Sequence, residues 1–449
     1  VVVALAAGVG AYAYFVESKR PDKDAKEKVL ELDKTKVEQL TLSRVGREPI
    51  RLVRDGESWK LTTPFQAPAD RSQIDSLLGS LESLEIDAVV QDGTTPVNLG
   101  EYGLDPPKTT VEAVVTGAAE PVRLMLGDTA PAGGGIYAKV DDKPRVFTVA
   151  SYLETTFDKQ AFDLRDRSVL HIEREAVDVL EIAGPDGEYS LAKDAGGEWS
   201  FTRPLHTRAG RWTVDGLIGT LERLKMDEIS SEDASDEDLA RFGFVHPSRS
   251  VVLGLGAKGT ETLQIGGSPA QGKVYVREAR SRLVGVVADS VVTELAKGMD
   301  GLRARRLLDV ATYEVTGLDV EKDGAKHSYD REPKGDDLES TGTWKRTPDG
   351  GDVSTDTIQD VLFKIGGVEA DSFIDAPGPL ADYGLDQPAL RLTLRYEKDK
   401  PEQWIEVGRK GDDLYGRRID DDSILKLATK EAEELIEAVA KLEKPAEAK

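Results

Sequence analysis

The sequence predicts an α+β fold: an N-terminal transmembrane helix followed by three tandem copies of an α+β domain with mainly antiparallel sheets. Three observations predict it. Residues 1–16 carry no charge. A set of five landmarks returns along the chain in a fixed order. Short alternating apolar runs accompany an amphipathic helical pattern in each copy.

The first run, VVVALAAGVGAYAYFV, is followed at once by ESKRPDKDAKEK. It falls a little short of the about 20 apolar residues that a full span requires. The chain opens at Val1 without a methionine, and a few upstream residues are expected. Tyr12, Tyr14 and Phe15 lie at the charged end, where aromatic rings suit a membrane interface. The expectation is a retained transmembrane anchor over residues 1–16 and a charged linker over 17–29. A cleaved signal peptide is the alternative, since Ala11-Tyr12-Ala13 matches the small-x-small cleavage pattern. Ala4, Gly8 and Ala11 form a stripe of small residues that would let a second membrane helix pack closely.

The body follows as α+β repeats over 30–170, 171–310 and 311–442, with a tail at 443–449. The first landmark in each copy is a tryptophan in a strand-like run: Trp59, Trp199 and Trp344. A helical pattern comes next. Ile74, Leu77, Leu78, Leu81 and Leu84 match Val214, Leu217, Ile218, Leu221 and Leu224 on one helical face. The third landmark is an aromatic, a glycine and a following proline: EYGLDPP with Tyr102, RFGFVHP with Phe242, and DYGLDQP with Tyr383. Then comes a strand ending in Gly127, Gly266 or Gly408, and a strand carrying Tyr137, Tyr275 or Tyr415. Glycine in the aromatic loop supplies an unusual backbone angle and proline ends the turn. Asp105 and Asp386 are expected to brace it. The first two copies close with DLRDRSVL and GLRARRLL, the third with the charged helix TKEAEELIEAVAKLEK. The third also carries a polar stretch at 330–342, expected to be an exposed hairpin tip or a mobile loop.

The 449 residues suit about three domains. A net charge of −24 argues against nucleic acid as a partner, because phosphate binding needs a concentrated basic face. With no cysteine, thiolate chemistry, disulfides and cysteine–zinc sites are excluded. GLGAKG at 254–259 has the spelling of a dinucleotide loop, but a strand-like run follows it, so a hairpin turn is expected. His171, His206, His246 and His327 are scattered, without the spacing of a metal site. Acidic runs such as 420–422 read as solvated faces or helix N-caps. The expectation is therefore no enzyme, with no catalytic, cofactor-binding or metal residues. Arg165 with Arg167 and Arg303 with Arg305 repeat an Arg-x-Arg where one copy meets the next. They are candidates for junction contacts or for anion binding.

The charged spacer after the anchor, the tryptophan strand and its helix, LGEYGLDPP and LADYGLDQP, LMLGD, IYAKV and DLRDRSVL together resemble a bacterial family known as domain of unknown function 4340. The second copy departs from the pattern at Val245. The resemblance implies a protein anchored in the bacterial inner membrane by a single pass, with a large periplasmic domain. It implies an accessory role beside an ABC transporter permease and its ATPase, with a gliding-motility-like auxiliary subunit as a further partner. That placement runs against Lys19, Arg20, Lys23, Lys26 and Lys28, which alone would put their side in the cytoplasm. The expected function is a scaffold or substrate conduit. A stand-alone envelope module binding lipid, glycan or cell wall is the alternative.

Overall fold

The computed structural model describes residues 26–93, 97–131, 133–332, 343–348, 350–397 and 400–442. The expected anchor with Ala4, Gly8 and Ala11, the polar stretch over 333–342 and the tail lie outside the described residues. Among the described residues, no helix is long and apolar enough to cross a membrane.

In the first copy nine strands form one antiparallel sheet. They are β1 (Val37–Arg44), β2 (Ile50–Asp55), β3 (Ser58–Thr63), β4 (Ala67–Pro68), β5 (Ala88–Gln91), β6 (Thr109–Val115), β7 (Val122–Thr129), β8 (Gly135–Val140) and β9 (Val146–Ala150). Their spatial order is β4-β3-β2-β1-β6-β7-β8-β9-β5. Four strands meander to one edge, a helix carries the chain across, and β5 lands on the opposite edge. The return to the middle pairs β6 with β1, Leu40 facing Ala113 and Leu42 facing Val111. The same order recurs strand for strand in a second sheet, between Val179 and Ala288, and in a third, between Gly317 and Leu427. The expected α+β architecture with antiparallel sheets is thus present in three copies.

Period-two alternation explains which strand face is buried. In the third copy Leu390, Leu392 and Leu394 point inward and their neighbours are half-exposed. The crossing helices are Arg71–Glu82, Arg211–Glu222 and Thr355–Gly367. Each buries an i, i+3, i+4, i+7 stripe: Ile74, Leu77, Leu78 and Leu81 in the first, and Ile358, Val361, Leu362 and Ile365 in the third. Asp70 starts the first helix, its carboxylate accepting from the backbone N–H of Ser72 at 3.0 Å and of Gln73 at 3.3 Å.

Trp59, Trp199 and Trp344 are buried in the three separate cores. The Arg54 guanidinium lies 4.6 Å from the Trp59 ring and the Lys193 ammonium 5.0 Å from that of Trp199. The Trp199 indole N–H also donates to Asp215 at 3.2 Å. GLGAKG forms a hairpin turn: strands Arg249–Gly254 and Thr260–Ile265 pair across it, Gly254 opposite Thr260. The third copy closes with helix Thr429–Leu442, which buries Ala432, Leu435, Ala438 and Val439 and joins Lys364 of the crossing helix to Glu434.

The first copy makes one compact unit ending at Arg167, and the second and third copies together make another from Ser168. Trp199→Ala is expected to destabilise the second copy by about 3–5 kcal/mol, as for other buried large-to-small changes. Trp212→Ala, at a side chain that is 84% exposed, is expected to stay within about 0.5 kcal/mol. Urea midpoints of the two variants against the parent check the contrast.

Candidate functional site

The aromatic loops and the two later landmarks prove to be one contact. Gly103, Gly243 and Gly384 have φ of 63°, 89° and 65°, in the left-handed region that favours glycine. The turn is tied by backbone bonds from Leu104 N–H to the Leu99 carbonyl at 3.0 Å, Phe244 to Leu239 at 2.8 Å, and Leu385 to Leu380 at 3.0 Å. Its aromatic packs against the tyrosine of the later strand, Tyr102 edge-to-face with Tyr137 at 4.9 Å, Phe242 tilted against Tyr275 at 4.6 Å, and Tyr383 edge-to-face with Tyr415 at 5.2 Å. The strand glycine lies underneath. A Cβ on Gly127 or Gly266 would overlap the carbonyl oxygen of Tyr102 or Phe242, and one on Gly408 would come within 2.5 Å of the Tyr383 oxygen.

One expectation is corrected. Asp105, Val245 and Asp386 are all exposed, and among the described residues neither carboxylate has a hydrogen bond. The backbone bonds hold the turn, so a carboxylate has nothing to brace.

The repeated arginines behave as follows. In the first unit Arg165 is buried, its backbone bridging to Ala69 and its guanidinium 5.7 Å from the Phe65 ring. Arg167 lies over Phe162 at 5.0 Å. In the second unit Arg303 and Arg305 sit where the second and third sheets meet. The Arg303 side chain is wholly buried, pairs with Asp375 at 2.8 Å and lies 4.7 Å from the Phe373 ring. Arg305 donates to the Ala370 carbonyl at 3.1 Å.

Residues that the sequence did not single out complete the junction. Arg418 pairs with Asp421 at 2.6 Å, both side chains wholly buried. The same guanidinium donates to the carbonyls of Ala304 at 3.1 Å and Arg306 at 2.6 Å. Ser423 ties the two acids together, its N–H donating to Asp421 at 2.9 Å and its hydroxyl to Asp375 at 3.1 Å. A polar chain thus runs Arg303–Asp375–Ser423–Asp421–Arg418. Beside it, His206 N–H donates to the Asp422 carboxylate at 2.7 Å and Asp422 N–H to the His206 carbonyl at 2.8 Å. Arg208 donates to Gln403.

Within the run 420–422, Asp420 and Asp422 are exposed as expected, but the Asp421 side chain is enclosed and neutralises Arg418. Burial lowers the pKa of Arg418, while Asp421 opposes that shift. For Arg208, burial and then Arg418 act in the same downward direction. A guanidinium keeps its proton regardless, so these charges have to be paired. No group of three His, Asp or Glu side chains placed to hold a metal is found among the described residues. What this arrangement does chemically is lock two sheets together.

Two variant sets follow. Gly408→Ala is expected to cost about 1–3 kcal/mol by overpacking, whereas Gly366→Ala, in a helix with open space around it, should be neutral or stabilising. Arg418→Met or Asp421→Asn alone should cost about 3–5 kcal/mol, and the double variant clearly less than the sum. Urea unfolding of all five variants supplies both comparisons.

Comparison with known proteins follows the same repeat. The family model described as Domain of unknown function (DUF4340) matches residues 59–209 and again 199–378, each match opening on a repeat tryptophan, Trp59 or Trp199. No curated protein matches. Among solved structures, the chain is similar to a DnaN sliding clamp (DNA polymerase III subunit beta) from Pseudomonas aeruginosa bound to griselimycin. That match has 10% identity, covers 91% of this chain and 93% of that one, and has a TM-score of 0.15. Another DNA polymerase III subunit beta from the same organism matches at 10% identity, 89% and 94% coverage, and a TM-score of 0.16. Scores of that size carry no argument about fold or activity.

Proposed function

Since the chain belongs to the DUF4340 family, whose description assigns no activity, we propose that it is a non-enzymatic accessory subunit of an ABC-type transporter. In this reading residues 1–16 anchor it in the bacterial inner membrane and the repeats form a periplasmic scaffold or substrate conduit. The permease and ATPase are its partners, together with a gliding-motility-like auxiliary subunit.

The observation that supports the reading is the junction. Buried arginines, whose charge is costly to enclose, join the second and third sheets. A protein that must present a fixed surface at a distance from the membrane gains from such rigidity. The uncharged run ahead of a charged linker gives that surface a place to be held.

The test is purification of the intact chain from its native membrane in mild detergent, with identification of what accompanies it. Stoichiometric recovery of an ATPase and a permease is expected. A lone chain under several gentle detergents would reject the proposal in favour of the stand-alone envelope module.

A further inference from the structure

The first repeat departs from the other two at one hairpin. Its β1 and β2 are joined by the five-residue run 45–49. The equivalent hairpins are only two residues long, Pro185–Asp186 and Asp323–Gly324. The longer loop arches over a cavity of about 320 Å³, whose other wall is the turn between helices Tyr152–Phe157 and Ala161–Leu164.

The cavity has two kinds of wall. Leu42, Ile50 and Phe157, all buried, supply an apolar floor. Arg44, Arg47 and Lys159 supply a cationic mouth. Asp158 accepts from Arg47 at 2.7 Å and forms an ion pair with Arg44, and Glu48 also lines the cavity. Three positive charges against two negative ones leave one in excess, on a chain whose net charge is −24. The volume is at the lower end of the range for small-molecule sites, about 300–1,000 Å³. An apolar floor under a single excess positive charge suits a ligand with one apolar tail and one anionic head.

The geometry points to a binding site in the first repeat for a single-chain anionic amphiphile of the fatty-acid class, its carboxylate at Arg47 and Lys159 and its chain over Leu42, Ile50 and Phe157. The site lies wholly within the first repeat and is independent of the transporter reading. A chain that purifies without partners would leave it untouched.

The experiment uses the full chain and a dodecanoate carrying a photoactivatable diazirine on its tail, which separates site labelling from partition into detergent. Labelled peptides are mapped by mass spectrometry. Label on the peptides containing 42–50 and 157–161 is expected, displaced by unlabelled dodecanoate and not by dodecyltrimethylammonium. The double variant Arg47→Glu/Lys159→Glu should lower that label at least tenfold. Lys60→Glu, a charge reversal at an exposed lysine of β3 outside the cavity, should leave it unchanged. The proposal is overturned by absence of label on those peptides, by label that survives the double variant, or by equal loss with Lys60→Glu. Displacement by acetate as effective as by dodecanoate would also overturn it, since the apolar floor would then contribute nothing.

Discussion

Each repeat depends on one crossing. The chain leaves the sheet at β4 on one edge and re-enters at β5 on the other, with the helix Arg71–Glu82 and the short runs 69–70 and 83–87 between. A helix of 12 residues is about 18 Å long. Nine strands spaced at about 4.8 Å would spread to about 38 Å if flat. With about 3.4 Å for each of the seven flanking residues the link just spans that width, and the twist of the strands shortens the distance it has to cover. Both halves of the sheet pack on one stripe of helix side chains. Leu40, Leu52 and Leu61 from one half and Val111, Leu124 and Val149 from the other join Ile74, Leu77 and Leu81 in a single core. The amphipathic helix is therefore the packing partner that the two halves of each sheet share.

The sequence discloses this much because its signals are local and repeated. Leu390, Leu392 and Leu394 alternate within one strand, and Ile74, Leu77, Leu78 and Leu81 follow one helix face. Triplicate recurrence then separates what the fold needs from what a single loop happens to contain. Tyr102, Phe242 and Tyr383 recur because each packs against a tyrosine of a later strand, and Gly127, Gly266 and Gly408 recur because a loop carbonyl occupies the space of a side chain. The partners in that contact were visible as separate landmarks. Their mutual touch was not, since spacing along the chain carries no direction in space. Asp105 and Asp386 mislead for the same reason: a residue type suited to turns is present, but the backbone already closes this one.

The junction was legible by half. Arg303 and Arg305 stand out because Arg165 and Arg167 repeat their spelling. Arg418, Asp421 and Asp422 belong to one copy only, so repetition says nothing about them. Their contacts span 114 residues from Arg418 to Ala304 and 216 from Asp422 to His206, beyond the reach of any periodicity. An acidic run on a strongly acidic chain reads as surface, and only the enclosed arginine beside it reveals Asp421 as a counter-charge. The cavity of the first repeat was hidden in another way. It arises from a hairpin longer than its two counterparts, and loop length draws notice only once the strands on either side have been placed.

The hand-over from the second sheet to the third has a mechanical consequence. Arg303 bridges back to Ala209, and Ala304 N–H donates to the Arg208 carbonyl. Arg306 bridges forward to Glu369, and Leu307 N–H donates to the Val368 carbonyl. No residue between them is slack. A hinge needs a few residues free to change their backbone angles, and here every one is already tied to one sheet or the other. The hand-over therefore leaves no free backbone at which a hinge between the two sheets could form, and bending there would have to break paired backbone.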